Sequence, residues 1–214
     1  MLRENKWKLL ISSLVTLLPI GIGMILWNHL PDQMPVHFNF EGTADDWADK
    51  LFVILGLPGI LLGGHLFCIL AMAIDPKRKN IGKKPIGFLF WLIPCVSLVM
   101  NCAIYANTLN LHINIATICI LILGLLYIVM GNILPKVQQN YSFGIKVSWA
   151  LDDSQNWTAT HRVGGWSLVI GGVVILATAF WPNLWILLAT VILSSLIPVA
   201  YSFFYYKRHR KEDR

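Results

Sequence analysis

Long uncharged stretches alternate with polar loops along the whole chain. Six stretches contain no Asp, Glu, Lys or Arg, namely residues 9–27, 51–73, 86–106, 113–133, 163–180 and 184–203. Each is 18 to 23 residues long, and an α-helix needs roughly 17–25 apolar residues to cross a ~30 Å hydrocarbon layer. Membrane-spanning β-strands are shorter and alternate apolar with polar residues. The pattern predicts an all-α integral membrane protein with six transmembrane helices, built as a single membrane domain over residues 1–214.

The composition supports this class. Hydrophobic residues make up 56% of the 214 residues and charged residues only 13%, with a mean hydropathy of +0.63. These values exclude an ordinary soluble domain. The four cysteines all lie within predicted spans, where they act as small apolar side chains and indicate neither a disulfide framework nor a metal site; they are Cys68, Cys95, Cys102 and Cys119.

The basic residues are distributed very unevenly between the two sides of the predicted membrane. Sixteen of the seventeen Lys and Arg residues lie in the N-terminus, the second loop, the fourth loop and the C-terminal tail. Cytoplasmic loops of membrane proteins carry an excess of Lys and Arg. The distribution therefore predicts that both termini are cytoplasmic, and it accounts for most of the net charge of +6. The first loop, on the outer side, is instead acidic, with Asp32, Glu41, Asp45, Asp46 and Asp49 beside its single basic residue, Lys50.

The outer loop, residues 28–50, has features of ordered structure. Pro31 and Pro35 stiffen the chain after the first helix, and Gly42 supplies a turn. An ordered, proline-braced cap on the helix ends is one interpretation. The histidines of this loop, His29 and His37, together with its carboxylates leave an outward zinc site as an alternative.

The inner loop, residues 134–162, is too long for a simple helix connection. Asp152 followed by Gln155 resembles a capping box, which predicts a short helix with Trp157 and His161 on one face. We expect this helix to lie at the membrane surface with its Trp towards lipid. His161 also has the chemistry of an acid–base group, but no second catalytic residue accompanies it.

The predicted spans contain almost no ionisable chemistry. Ion-coupled transporters usually need charged residues within the membrane, and here His65 is the only readily ionisable side chain in a span. A neutral His65 that is hydrogen-bonded to a neighbouring helix is the favoured interpretation. Gly59 and Gly63 have a G-x-x-x-G spacing that permits close contact between helices.

Motifs in both long loops resemble the SdpI-type family of bacterial membrane proteins. The outer loop reads Leu-Pro-x-x-x-Pro-Val-His-Phe-Asn-x-x-Gly, followed by a Trp and a Lys, as in the N-terminal domain of unknown function that begins many members. The residues that carry this part of the resemblance are Pro31, Pro35, His37, Asn39, Gly42, Trp47 and Lys50.

The inner loop resembles the signature of the same family. It contains Gly-Asn-x-Leu-Pro-Lys and, further on, Trp-x-x-Thr-His-Arg-x-Gly-Gly. The matching residues are Asn132, Pro135, Asn140, Gly144, Lys146, Trp149, Trp157, Thr160, His161, Arg162 and Gly165. The chain departs from the family at residues 146–148, which read Lys-Val-Ser where the family usually has Arg-Thr-Pro.

The resemblance implies a multispanning immunity and signalling protein of the bacterial cell membrane. Such a protein gives resistance to a secreted antimicrobial peptide toxin on the outer side and sequesters a cytoplasmic transcriptional repressor on the inner side. It is not an enzyme, has no catalytic, cofactor-binding or metal-binding residues, and contacts the lipid bilayer but no nucleic acid directly.

An apparent internal repeat favours a different function. Asn-x-Leu-Pro follows the first helix at residues 28–31 and the fourth helix at residues 132–135. Elements three spans apart face opposite sides of the membrane, so the chain is a candidate for a 3+3 inverted repeat, which is common in transporters. The alternative is therefore a small transporter or flippase-like protein, although the uncharged spans and the lack of a nucleotide-binding motif show no energy source. A third alternative is a membrane metalloenzyme with an outer His site.

Overall fold

The computed structural model describes residues 2–111 and 113–209. Within them, six helices are long and apolar enough to cross a membrane, which confirms the six predicted spans. Their bounds are Lys6–Ile25, Phe52–Ala73, Lys83–Thr108, Ile115–Lys136, Ser154–Ala177 and Leu184–His209. The basic tail residues Arg210, Lys211 and Arg214, which contributed to the predicted orientation, lie outside the described residues.

Two strands and several short turns connect these helices. The α-helices are α1 (Lys6–Ile25), α2 (Leu57–Ala73), α3 (Lys83–Thr108), α4 (Ile115–Ile133), α5 (Ser148–Asp152), α6 (Ser154–Ala177) and α7 (Leu184–His209). The strands are β1 (Gln33–Phe38) and β2 (Ala44–Asp49), which form an antiparallel hairpin. A π-helical stretch (Phe52–Gly56) leads into α2, and 3-10 turns follow α1 (Trp27–His29) and α4 (Leu134–Lys136).

The chain divides into two compact units. The first unit comprises Met1–Ala73 and Gly87–Cys119, and the second comprises Ile74–Ile86 and Ile120–Arg214. The first unit therefore contains α1, the hairpin, α2 and nearly all of α3, whereas the second contains most of α4 with α5, α6 and α7. The inverted repeat remains a prediction.

The first unit is closed beneath the hairpin by an apolar cluster. Its members are Leu30, Met34, Val53, Ile54, Ile104 and Tyr105. α1 approaches this cluster closely at Gly23, because a Cβ placed there would lie 2.8 Å from a methyl carbon of Ile54 and 2.9 Å from the hydroxyl oxygen of Tyr105. Only glycine gives α1 enough space at this point.

In the second unit, α4 and α6 meet along a seam of four glycines. Gly124 and Gly131 on α4 face Gly172 and Gly165 on α6, with a spacing of seven residues on each helix. A Cβ on Gly131 would lie 2.6 Å from the carbonyl oxygen of Gly165, and a Cβ on Gly172 would lie 2.7 Å from that of Gly124. Small residues allow the backbones of membrane helices to approach closely. Dispersion contacts then stabilise the helix pair, because lipid provides no hydrophobic driving force for association.

The G-x-x-x-G spacing in α2 does not have this role within the chain. Gly59 and Gly63 are exposed, and nothing in the described part of the chain lies within 4 Å of a Cβ placed on either. The close contact expected from the spacing is therefore absent there. The motif cannot by itself indicate which face of a helix meets a neighbour.

Gly131→Ala tests the seam, and Gly63→Ala provides a matched control. We expect Gly131→Ala to destabilise the protein by about 1–3 kcal/mol, because the added methyl group overpacks against the backbone of α6. Gly63→Ala meets no neighbour and replaces glycine by the best helix former, so it should leave stability unchanged or slightly raised. Thermal unfolding of the purified protein in detergent measures both. Equal destabilisation of the two variants would contradict the seam.

Candidate functional site

The outer loop folds into a hairpin whose turn is held by one asparagine. The Asn39 Oδ1 accepts hydrogen bonds from the backbone N–H groups of Glu41 and Thr43, each at 3.0 Å. Gly42 has φ +85°, a left-handed conformation that glycine adopts without steric cost. The turn predicted at Gly42 is therefore present, and the hydrogen bonds to Asn39 stabilise it.

The hairpin combines buried apolar residues with exposed residues on β2. Met34 and Leu30 belong to the apolar cluster of the first unit, and Pro35 is also buried. On β2, the Trp47 side chain is 53% exposed, and its neighbour in sequence, Asp46, is also exposed. The hairpin thus presents an acidic surface with one large aromatic side chain.

The two histidines of the outer loop do not form a joint cluster with its carboxylates. His37 forms a hydrogen bond with the Asp45 carboxylate through Nδ1, with 2.5 Å between the two atoms, and its side chain is largely exposed. His29 lies apart from this pair in the 3-10 turn after α1. The described residues contain no group of three His, Cys, Asp or Glu side chains that is arranged to hold a metal ion.

Lys50 connects the base of the hairpin to the end of α1 through hydrogen bonds. Its Nζ donates hydrogen bonds to the carbonyl oxygens of Leu30 at 3.0 Å and Trp27 at 3.3 Å, and lies 4.7 Å from the centre of the Trp27 ring. It also pairs with Asp32 at 3.2 Å, although that carboxylate is 97% exposed whereas the Lys50 side chain is only 12% exposed. The single basic residue of the outer loop therefore satisfies backbone carbonyls that the end of the helix leaves free.

Lys50→Met and Asp32→Asn distinguish carbonyl capping from ion pairing. Lys50→Met keeps the apolar stem but removes every hydrogen bond of the ammonium group, so we expect faster proteolysis of the hairpin and a loss of about 1–3 kcal/mol. Asp32→Asn removes only an exposed ion pair and should cost less than about 1 kcal/mol. Limited proteolysis of protein in vesicles, with thermal unfolding in parallel, provides the comparison. A larger effect from Asp32→Asn would refute the capping role.

Asn140 folds the beginning of the inner loop into a tight turn. Its Oδ1 accepts hydrogen bonds from the N–H groups of Ser142 at 2.9 Å and Phe143 at 2.7 Å. Its Nδ2 donates to the carbonyl oxygens of Gln138 at 2.9 Å and Phe143 at 3.0 Å. Because Asn140 is fully buried, this set of bonds is what makes its burial tolerable.

His161 fixes the next part of the loop to α6. It accepts a hydrogen bond at Nε2 from the N–H of Ile145, at 3.0 Å, so its Nδ1 carries the proton that is donated to the carbonyl oxygen of Trp157 at 2.8 Å. The imidazole also stacks on the Trp157 ring, with 3.9 Å between ring centres. Gly144, at φ +122°, passes directly against the imidazole. Both ring nitrogens are engaged within the protein, so neither is available for acid–base chemistry.

The prediction of a surface helix with its Trp towards lipid is wrong. α6 is one continuous helix from Ser154 to Ala177, and its N-cap is Asp153, whose side chain accepts from the N–H of Gln155 at 2.7 Å. Trp157 is only 1% exposed, and its Nε1–H donates to the carbonyl oxygen of Val137 at 2.8 Å. The inner loop covers this face of α6, which local periodicity along α6 does not reveal.

A buried polar cluster joins α6 to α7. Asn156 Oδ1 accepts from the hydroxyl groups of Thr160 at 2.9 Å and Ser202 at 2.8 Å, while its Nδ2 donates to the Ser202 carbonyl oxygen at 3.1 Å. All three residues are fully buried. Thr160 was expected in the site from the family resemblance, whereas Asn156 and Ser202 were not. A polar residue in an apolar span is the signal that indicates such a contact.

Asp75, which the sequence analysis missed, ties the second loop to the inner loop. Its carboxylate accepts hydrogen bonds from the N–H of Lys77 at 2.7 Å, the N–H of Tyr141 at 2.9 Å and the hydroxyl of Ser142 at 2.6 Å. Burial tends to raise the pKa of Asp75, but these hydrogen bonds to the charged form outweigh it, so the pKa lies below its ordinary value of 3.8.

Three further side chains, those of Lys77, Asn80 and Gln139, complete this junction. Lys77 Nζ donates to Gln139 Oε1 at 2.9 Å and lies 5.2 Å from the centre of the Tyr141 ring. Asn80 Nδ2 donates to the Gln139 carbonyl oxygen at 2.8 Å, and Gln139 Nε2 donates to the carbonyl oxygen of Leu151 at 2.6 Å. Residues 74–86 and 136–162 therefore form one surface of the second unit, here called the inner platform. Its exposed basic residues are Arg78, Lys79, Lys83, Lys84, Lys136, Lys146 and Arg162.

The other predicted residues have supporting positions. Pro31 is exposed in the link between the turn after α1 and β1, and Asn132 is exposed near the end of α4. Pro135 packs against Gly165, where a Cβ would lie 2.5 Å from the proline ring. Trp149 lies on α5 and its ring meets that of Phe203 edge to face, with 5.5 Å between the centres. The outer set of predicted residues lies in the first unit and the inner set in the second.

Asp75→Asn should weaken the inner platform in a pH-dependent way. Because the pKa of Asp75 is lower in the folded than in the unfolded state, the carboxylate stabilises the fold above its ordinary pKa, and this contribution is lost as pH falls through the folded-state pKa. At neutral pH we expect faster hydrogen exchange at the Tyr141 amide, by the equivalent of about 1.5–3 kcal/mol for bonds to a charged group.

The pH profile provides the control for this prediction. The difference between wild type and Asp75→Asn should shrink below pH 3.8, the ordinary value for an aspartate. Asp152→Asn, a change at an exposed carboxylate of the same platform, should leave the Tyr141 amide unaffected. A difference that is constant with pH would show that the carboxylate charge is not responsible.

Comparison with known proteins identifies the class of this membrane protein. Residues 14–62 match the domain of unknown function DUF1648, and residues 136–202 match the SdpI/YfhL protein family. The chain is similar to the immunity protein SdpI of Bacillus subtilis (strain 168), at 24% identity over 208 residues, covering 94% of this chain and 97% of the relative. No solved structure matches the chain. The predicted resemblance to the SdpI-type family is thus confirmed, with the DUF1648 region preceding the SdpI/YfhL region.

Proposed function

We propose that this chain is a membrane immunity and signalling protein, which protects a bacterial cell from a secreted antimicrobial peptide toxin and sequesters a cytoplasmic transcriptional repressor. The observation that carries the proposal is the similarity to an immunity protein along 94% of the chain. It covers both the hairpin and the inner platform. The chemistry is binding rather than catalysis, with residues 1–214 acting as one membrane domain.

The orientation follows from charge. In our proposal both termini and the inner platform face the cytoplasm of the cell, because the basic residues of the platform then obey the positive-inside rule. The acidic hairpin faces outwards. Each of the two surfaces is then positioned to meet a partner that arrives from its own side.

The outer surface suits a cationic or amphipathic peptide. Asp46 and Asp49 are exposed on β2, and the Trp47 ring between them offers an apolar contact. Complementary charge accelerates encounter and selects partners, and an exposed tryptophan is a common anchor in protein interfaces. The hairpin can therefore attract such a toxin while Lys50 holds its base in place.

The inner platform suits an acidic surface on a cytoplasmic protein. Lys79 and Lys83 are exposed on the second loop, and Lys146 and Arg162 are exposed on the inner loop and α6. The hydrogen bonds of Asp75 hold these segments together. Their positive charges therefore act as one surface and not as independent segments. We propose that the repressor binds here.

Exposed residues give a sharper test of this function than the buried motif residues do. Trp157 and His161 support the fold from inside, so their substitution would confuse loss of structure with loss of binding. We expect Asp46→Lys with Trp47→Ala to abolish survival of a sensitive host under toxin challenge, and Lys79→Glu with Lys146→Glu to abolish recruitment of the repressor to membranes but spare survival. All variants should reach normal membrane abundance.

The matched control exchanges charge at a site outside both surfaces. Glu4→Lys near the N-terminus should leave survival and recruitment unchanged. Unchanged killing of cells that express the wild-type chain, by every candidate peptide, together with no repressor at the membrane, would refute the proposed function. Loss of both activities in the Lys79→Glu and Lys146→Glu variant would refute the separation into two surfaces.

A further inference from the structure

The interior of the first unit contains polar side chains where a membrane helix bundle is usually apolar. They come from all three of its spanning helices and form a column that we call the polar column. Its members are Ser12 and Thr16 on α1, His65 on α2, and Ser97, Asn101 and Tyr105 on α3. None of them is more than 2% exposed.

Four side chains of the column donate hydrogen bonds to backbone carbonyl oxygens. The Ser97 hydroxyl donates to the carbonyl oxygen of Thr16 at 2.9 Å, and the Asn101 Nδ2 donates to that of Ser97 at 2.8 Å. The Tyr105 hydroxyl donates to the carbonyl oxygen of Pro19 at 3.2 Å. The Thr16 hydroxyl likewise donates to the Ser12 carbonyl oxygen at 2.9 Å. These bonds use the hydroxyl protons of Ser97, Tyr105 and Thr16 and one of the two N–H donors of the Asn101 amide.

A hydrogen bond joins Ser12 on α1 to His65 on α2. The Ser12 hydroxyl oxygen lies 2.9 Å from His65 Nε2 and 3.1 Å from the carbonyl oxygen of Leu9. A neutral imidazole has one N–H donor and one acceptor nitrogen. In either tautomer, therefore, His65 Nδ1 needs a hydrogen-bond partner of its own.

Two polar atoms of the column have no hydrogen-bond partner among the described residues. They are His65 Nδ1 and Asn101 Oδ1, and both are buried. Leaving a buried polar atom unsatisfied costs free energy, and more so in a membrane interior where bulk water does not reach. Each atom therefore requires a partner that the described residues do not supply.

Two prolines add acceptors to the same interior. Pro19 and Pro94 are buried in α1 and α3. Proline has no backbone N–H, so the carbonyl oxygens four residues earlier, on Val15 and Phe90, lose their helical donors. These two carbonyl oxygens are further acceptors on α1 and α3 that the helices themselves do not satisfy.

We propose that the polar column is a binding site for small neutral molecules that form hydrogen bonds, and that water is its ligand, because water can both donate and accept. Along the column, Asn101 lies about two helical turns beyond the level of His65, a backbone separation of roughly 11 Å. This separation is too long for one water molecule to contact both unpartnered atoms, so the column holds at least two bound waters. Buried water typically satisfies such polar groups and is a stable part of the fold.

His161 provides an internal control for this site. Like His65 it is fully buried, but both of its ring nitrogens are bonded within the protein. Exposed His29 provides the opposite reference. The three imidazoles therefore differ in their expected access to water while sharing the same chemistry, so one labelled sample compares them directly.

The test is water-edited solid-state NMR of the full chain, labelled with 15N-histidine and reconstituted in lipid vesicles. We expect magnetisation to pass from water to the His65 imidazole as it does to that of His29, and to reach His161 only after a long delay. Transfer to His65 as slow as to His161 would overturn the proposal, because the column would then be dry.

Three variants keep the test decisive. His65→Gln assigns the His65 signal by its disappearance, and Ser12→Ala provides a second assignment through a shift of the same signal if His65→Gln does not fold. Asn101→Leu removes one acceptor about two turns away, so water transfer to His65 should persist in this variant. Its loss would overturn the assignment of two separate water positions.

Discussion

Buried polar groups must be hydrogen-bonded within the protein, and the helices, their ends and the loops all depend on this requirement. In a bilayer no solvent compensates an unpaired N–H or C=O group, so the spans must be helical and their ends must be capped by other groups. Lys50 meets this requirement after α1 by bonding two carbonyl oxygens. Asp75 and His161 meet it in the inner platform by accepting from backbone N–H groups.

Residues that perform this task are also the ones that give the loops a defined surface. The hydrogen bonds of Asn39 hold the hairpin turn, and those of Asn140 hold the beginning of the inner loop. Both asparagines bond to the backbone of their own loop, so the exposed side chains are not needed to hold the turns. In the proposed function, recognition is therefore separated from support: Trp47 and Lys146 are exposed, whereas Asn140 is fully buried.

Prediction from the sequence succeeded where a signal is local and repeated. Helix length and apolar composition indicated the six spans, and glycine at position 42 indicated the hairpin turn. It failed for β2, because its sequence Ala-Asp-Asp-Trp-Ala-Asp is rich in residues that are rare in strands. It also failed for Trp157, whose burial depends on a carbonyl oxygen twenty residues earlier in the chain.

The sequence by itself determined that the chain is a six-span membrane protein and indicated the family that it resembles, because hydropathy and short motifs are properties of adjacent residues. Only the tertiary structure decided which glycines pack. Gly131 meets the backbone of α6, whereas Gly63 meets nothing within 4 Å in the described part of the chain. The tertiary structure alone also placed Asp75 against the inner loop and left His65 Nδ1 without a hydrogen-bond partner among the described residues. These outcomes depend on which helix faces and loops come together, and that is fixed by packing between residues distant in the chain.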